Sequence, residues 1–202
     1  MNRVASPTSA SYPERSRPSA LVYALTAFCA LAAGSAVADD FAYTYFEAAY
    51  VHSDGANGGL LAGSIDVSSN LRLRVGGTRL SESGVDLTAA GAGVDYIARV
   101  SETVNVLIGG GINYAEVDAG FFDADSTDAS AGVSVRILAS PNFEIEPSVG
   151  YVFGDFDDAV FGVDARYWFN RNVALQFGIG GSTADGSDAI FELGVRLGPQ
   201  YR

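Results

Sequence analysis

From Phe41 onward, apolar and polar residues alternate with a period of two, broken by short clusters of Gly, Asp, Asn and Ser. That period marks strands, because successive side chains leave opposite faces of a pleated chain. The pattern predicts ten of them: 41–53, 59–67, 71–80, 87–99, 104–117, 129–138, 143–153, 159–169, 173–181 and 188–197. In the third, Leu71, Leu73 and Val75 oppose Arg72, Arg74 and Thr78, and in the seventh Phe143, Ile145 and Val149 oppose Glu144, Glu146 and Ser148. The eighth sets Phe161, Val163 and Tyr167 against Asp164 and Arg166; the last sets Phe191, Leu193 and Val195 against Glu192 and Arg196. Segments two and nine are short and glycine-rich, so eight strands is the alternative count.

The connections predict two unlike rims. Brief turns, Ser68-Ser69-Asn70, Val100 to Thr103, Ala139 to Asn142 and Asn170-Arg171-Asn172, follow every second strand. The other five connections are expected to be longer, and they hold most of the acids outside the strands, with Arg79 the only base nearby. Short turns at one rim and long hydrophilic loops at the other belong to an up-and-down barrel.

Alternation alone would also fit a soluble barrel with its apolar face inside, so the polar face has to decide. It carries Glu47, Asp66, Arg72, Arg74, Asp95, Arg99, Arg136, Glu144, Glu146, Asp164, Arg166, Glu192 and Arg196, seven acids against six bases. A nearly neutral set suits a narrow interior, where each charge needs a partner at close range. Glycines on the same face, such as Gly76, Gly91, Gly93, Gly109 and Gly111, leave room for the arginine side chains. On the apolar face, aromatics gather near strand ends in two girdles: Tyr50, Tyr114, Tyr151, Phe153, Phe161 and Phe191 at one rim, Tyr96, Phe143, Tyr167 and Phe169 at the other. A strand of about ten residues, tilted by about 40°, spans roughly 25 Å, the height of a lipid-facing band.

The N-terminal region reads differently. The apolar run Leu21 to Ala38 follows Arg3, Arg15 and Arg17 and ends in Ala36-Val37-Ala38, the pattern of a secretory signal peptide over 1–38 cleaved after Ala38. The chain from 39 to 202 is then the barrel: all-β, antiparallel, up-and-down and transmembrane. It contains no cysteine, since Cys29 lies in the signal, and its 23 acids and 9 Arg give a charge of -14. With no Lys in the whole chain and this negative balance, no nucleic-acid partner is expected.

The secretory signal, the start Phe41-Ala42-Tyr43-Thr44-Tyr45-Phe46-Glu47-Ala48-Ala49-Tyr50-Val51 and the turn Ser140-Pro141-Asn142-Phe143 resemble the small outer-membrane barrels of the OmpA-like superfamily. They are particularly similar to a diffusible-signal-regulated family of such proteins in Gram-negative bacteria. The resemblance implies an outer-membrane location. Outer-membrane lipid, lipopolysaccharide and the barrel assembly machinery are the expected partners.

Chemistry is sparse. One His leaves His52-Ser53-Asp54 as the sole candidate for a rim enzyme acting on lipid, and its neighbours point to opposite sides of a strand. The loop 118–128 offers Asp118, Asp123, Asp125 and Asp128 as weak ligands for divalent cations, without the ligand spacing of a dedicated calcium loop. Phe121-Phe122 in the same loop offers a knob for contact with a host or neighbouring surface. Glu47, Arg72, Arg74 and Glu146 would either line a narrow porin-like channel or, in a barrel this small, plug it. The expectation is a non-enzymatic barrel, without a cofactor, serving envelope integrity or surface contact.

Overall fold

The computed structural model describes residues 43–120, 122–155, 157–183 and 189–200. The expected signal peptide and its cleavage site lie outside the described residues, as do Phe121 and the 184–188 part of the last loop.

Ten strands follow in chain order: β1 (Tyr45–Ser53), β2 (Ala56–Ser68), β3 (Leu71–Glu82), β4 (Val85–Ser101), β5 (Val104–Asp118), β6 (Asp123–Ser140), β7 (Phe143–Phe153), β8 (Asp158–Asn170), β9 (Val173–Ser182) and β10 (Ile190–Leu197). Each pairs antiparallel with its sequence neighbours, and β1 pairs with β10 from Phe46↔Leu197 to Ser53↔Ile190, so the sheet closes. Closure leaves no strand edge with unpaired backbone groups, the condition for crossing lipid with strands. Ten strands, not eight, is therefore the count.

The apolar face points out. Val75 is 61% exposed, Ile108 54% and Phe169 62%, whereas Arg72, Glu47 and Glu144 are 0% exposed. This reverses the burial of a soluble domain, in which Val and Ile fill the interior and charges stay wet. Only a lipid surround makes the exposed band favourable. The aromatic ends of that band are locally packed, with Tyr151 against Phe153 at 5.0 Å and Tyr167 edge-on to Phe169 at 5.5 Å between ring centroids.

The four short turns repeat one design. Each shifts register by one residue just before the turn, at Ser68, Ser101, Ser140 and Asn170. In three of them that residue's side chain accepts from the backbone N–H two places on: Ser68 from Asn70 (3.3 Å), Ser101 from Thr103 (3.3 Å) and Asn170 from Asn172 (2.8 Å). Small polar residues are favoured there because they satisfy a turn's donor locally. Each turn then passes its last carbonyl to the strand two places along: Asn70 accepts from Ile97 (2.9 Å), Thr103 from Leu138 (2.8 Å) and Asn142 from Trp168 (2.9 Å). Asn172 accepts from Gly198 (3.0 Å), just past β10.

At the other rim the expected long loops are shorter than the sequence reading proposed. β1–β2 and β3–β4 turn on two residues each, Asp54-Gly55 (φ 36° and 87°) and Ser83-Gly84 (φ 47° and 87°). Positive φ at both central positions is the hairpin turn whose twist matches the strands. The acidic segments are strand as well: β6 begins at Asp123, six residues before the predicted start, and pairs Asp118↔Asp123 and Glu116↔Asp125. The hairpins run on past the Tyr114 girdle, where the outward face turns polar at Glu116, Asp118, Asp123 and Asp125 and the apolar outward half of the alternation is lost.

Pro147 lies within β7 as a non-donor. The β6–β7 ladder is unpaired at Val135 and Arg136, then resumes in the same register at Ile137↔Ile145.

Candidate functional site

The interior divides into three layers. Toward the acidic rim, Val51, Leu60, Leu80, Leu87 and Ile190 form a small apolar cluster with alanines of β2, β4 and β5. Toward the turn rim, Tyr43, Ile97, Leu107 and Trp168 are buried. Between them lies a belt of buried arginines and carboxylates.

Across β3 and β4, direct pairing of Arg72 with Asp95 lets one carboxylate take two guanidinium groups, Arg72 Nε at 2.7 Å and Arg74 Nε at 3.0 Å. Gly93 and Gly109 make the space. A β-carbon on Gly93 would lie 2.7 Å from the Arg74 guanidinium carbon, and one on Gly109 would overlap the Asp95 carboxylate. On β6 and β7, Arg136 is ion-paired with Glu144, and Ser134 Oγ donates to Glu146 (3.0 Å).

Arg166 of β8 donates to Glu146 from Nη1 (2.7 Å) and to Gln176 from Nε (2.9 Å), and Asp164 lies 3.6 Å from its Nη2. Gln176 Nε2 in turn donates to Glu47 (2.9 Å) and Glu192 (3.0 Å). At the seam Arg196 holds Glu47 with Nε (2.7 Å) and Nη2 (2.6 Å) and lies 3.8 Å over the Tyr45 ring. In so dry a setting each pair is strong, and each partner left alone would be costly.

Of the thirteen charged residues assigned to the inner face, the belt brings eleven together. Asp66 sits at its turn-rim end, half-buried, accepting from the Tyr43 N–H at 3.4 Å. Arg99 is placed differently from the expectation: it is exposed at the turn, donating to Ser69 O at 3.2 Å. It shares the inner parity of Asp95, but it lies beyond the buried Ile97, in the last residues of β4, where the barrel wall has run out.

The four aspartates of the loop 118–128 are separated too. Asp118, Asp123 and Asp125 are exposed at the acidic rim. Asp128 is buried in the lumen, where it accepts from Ser126 Oγ (3.0 Å) and the Asp155 N–H (2.9 Å). Among the described residues no three His, Cys, Asp or Glu side chains are gathered as metal ligands. His52 faces outward against Asn57 Oδ1 (2.9 Å) while Ser53 is buried inside, so base and hydroxyl are on opposite sides of the wall.

Sequence reasoning missed Tyr43, Tyr45, Asn105, Gln176 and Trp168, all buried in the interior. Parity reaches them: Tyr43 and Tyr45 stand an even number of residues from Glu47, Trp168 two from Arg166, Asn105 four from Gly109 and Gln176 two from Gly178. They were passed over because an uncharged residue gives no sign of needing a partner. Beside the belt lies a small cavity of about 40 Å³, next to Arg74 and Asp95 and lined in part by Leu107, Ser130, Ser134 and Ser148. That holds a few waters at most.

No family model and no curated protein matches the sequence. Solved structures do match in fold. An outer-membrane channel from Pseudomonas putida F1 superposes with a TM-score of 0.53 at 15% identity, over 80% of this chain and 96% of the other. The KdgM porin gives 0.49 at 11% identity over 76% of this chain and 98% of its own, and Neisserial surface protein A gives 0.36 at 16% over 81% and 99%. The likeness to the Pseudomonas channel, at 15% identity, is one of architecture, that of the outer-membrane β-barrel.

Proposed function

We propose that this protein resides in the outer membrane as a non-catalytic barrel whose lumen is closed to ions by its own Arg–carboxylate pairs. Envelope integrity or contact at the cell surface would be its role. The observation that carries the reading is the complete burial of Arg72, Arg136, Arg166 and Arg196 against carboxylates, with a cavity of only about 40 Å³ beside Arg74 and Asp95. A conducting pore needs hydrated charges along a continuous path, and the apolar cluster of Val51, Leu60, Leu80, Leu87 and Ile190 interrupts one.

The partners follow from the surface. Lipid covers the apolar band, and lipopolysaccharide meets the acidic rim, where exposed Asp118, Asp123 and Asp125 would hold divalent cations weakly between protein and phosphate. The barrel assembly machinery inserts the chain. Planar-bilayer recording on the refolded protein tests the reading. Silence at neutral pH is the expected result, and steady ionic steps would replace the closed barrel with a narrow porin-like channel.

A further inference from the structure

The charged belt does not balance. Five arginines face six carboxylates, and the pairing is uneven, because Asp95 takes both Arg72 and Arg74. Glu144, Glu146 and Glu47 each hold one arginine closely, and Asp164 has only the longer 3.6 Å approach of Arg166. Glu192 is left over. Among the described residues no arginine lies within ion-pair distance of it, yet it is 2% exposed.

Its surroundings are acidic from every side. Glu192 stands directly across from Gly178 of β9, and Asp164 of β8 stands across from the same glycine on the far side. A β-carbon on Gly178 would lie 2.8 Å from Asp164 Oδ1 and 3.6 Å from Glu192 Oε2, so both carboxyls lean over that glycine. Glu146 of β7 is the next residue along the row, opposite Asp164. From β1 the Glu47 carboxyl shares the Gln176 amide with Glu192. The cations nearby, Arg166 and Arg196, are already engaged by Glu146 and Glu47.

Hydrogen bonding repeats the imbalance. Gln176 satisfies Oε1 of both Glu47 and Glu192, and Arg196 satisfies Glu47 Oε2, but Glu192 Oε2 is buried with no donor. A buried carboxylate with no cation and one oxygen without a donor is costly to hold. A proton removes both faults. It cancels the surplus charge and turns the orphaned acceptor into a donor toward a neighbouring carboxylate.

We propose that Glu192 holds a proton at neutral pH, and that this proton lets its carboxyl share one dry belt with those of Glu47 and Asp164. When it leaves, Glu47, Glu192 and Asp164 repel one another with only Arg166 and Arg196 between them, and at low dielectric that repulsion parts the side chains and admits water. The proton rests on the pairing within the belt, not on the closed-lumen reading.

Infrared spectroscopy of the refolded barrel with carbon-13 glutamate tests the proton. A protonated-carboxyl stretch at neutral pH that shifts on glutamate labelling and is lost in Glu192→Gln is expected. Absence of the band, or its survival in Glu192→Gln, overturns the proposal; should that variant not fold, the label shift in the unaltered chain still decides. Steady steps in bilayer recording at neutral pH would overturn the closed lumen, while the infrared band still decides the proton.

Discussion

Arg196 of the last strand grips Glu47 of the first, 149 residues away, through Nε and Nη2 on one carboxylate oxygen. The two are direct cross-strand partners at the seam, so this ion pair forms only when the barrel closes.

Removing one side should therefore act on closure. Arg196→Ala leaves Glu47 buried with only the Gln176 amide, at a cost of about 3 to 5 kcal/mol for a breached buried pair. Urea titration in vesicles should show that loss, and the variant should fold more slowly because closure is the contact of highest sequence separation. Replacing both residues by Leu should recover most of the stability. A mild Arg196→Ala would mean that water already reaches the seam.

Orientation is tested by Arg72, Val106 and Ile108. Ile108→Arg places a charge on the lipid face and should cost about 2 to 4 kcal/mol near mid-bilayer, whereas Ile108→Ala and Val106→Ala should be mild. Arg72→Ala strips one of two cations from the buried Asp95 and should cost more than Ile108→Ala. The reverse ranking in refolding titrations would be the signature of a soluble barrel with a cavity-sensitive core.

Two glycines separated by wall and function make a third test. A methyl on Gly109 would overlap the Asp95 carboxylate and force it off Arg72 and Arg74, so Gly109→Ala should cost at least the roughly 1 to 3 kcal/mol of overpacking. Gly59 faces outward, and its methyl would meet Ala49 O at an ordinary 3.6 Å. Gly59→Ala should refold like the natural chain. Equal effects at both positions would count against a tightly filled lumen.

The acidic rim supplies a pH prediction. Beyond the Tyr114 girdle, the Ser81 hydroxyl (2.5 Å) and the Arg79 guanidinium (2.7 Å) hold the Asp86 carboxyl below the usual carboxylate range. A folded value below the unfolded one of about 3.9 means stability that is present above the unfolded value and is lost as pH falls through the folded one. Carboxyl-carbon NMR in micelles should find Asp86 titrating below free aspartate. Ser81→Ala and Arg79→Ala should each raise it.

Much of the architecture was legible because lipid and lumen impose opposite demands on alternate residues. The bounds of β7 come straight from the alternation of Phe143, Ile145 and Val149 with Glu144, Glu146 and Ser148. Where lipid ends, the signal ends: Asp123 to Thr127 is strand, but both of its faces are polar and nothing alternates. The tight Asp54-Gly55 turn was hidden in the same way, behind polar residues that read as loop. Inside, parity places Arg72 and Arg74 on one face, but their shared capture of Asp95 depends on a register that no single strand carries. Arg99 shows the opposite limit, since parity cannot say where along a strand the wall stops.

The turn-rim hydrogen bonds have a modular consequence. The hairpins β2–β3, β4–β5 and β6–β7 each end in a polar turn that hands one carbonyl to a strand of the next hairpin, and β8–β9 hands its own to Gly198 just past β10. Such a chain can lengthen by whole hairpins, because an inserted copy would meet its neighbours through junctions that already exist. What would not scale is the interior. Two more strands would widen the ring while the arginines kept their reach, so a duplicated hairpin would turn a filled cylinder into a hollow one. Strand number sets the diameter of this barrel, and the span of an Arg–carboxylate pair sets how wide that ring can be before its interior empties.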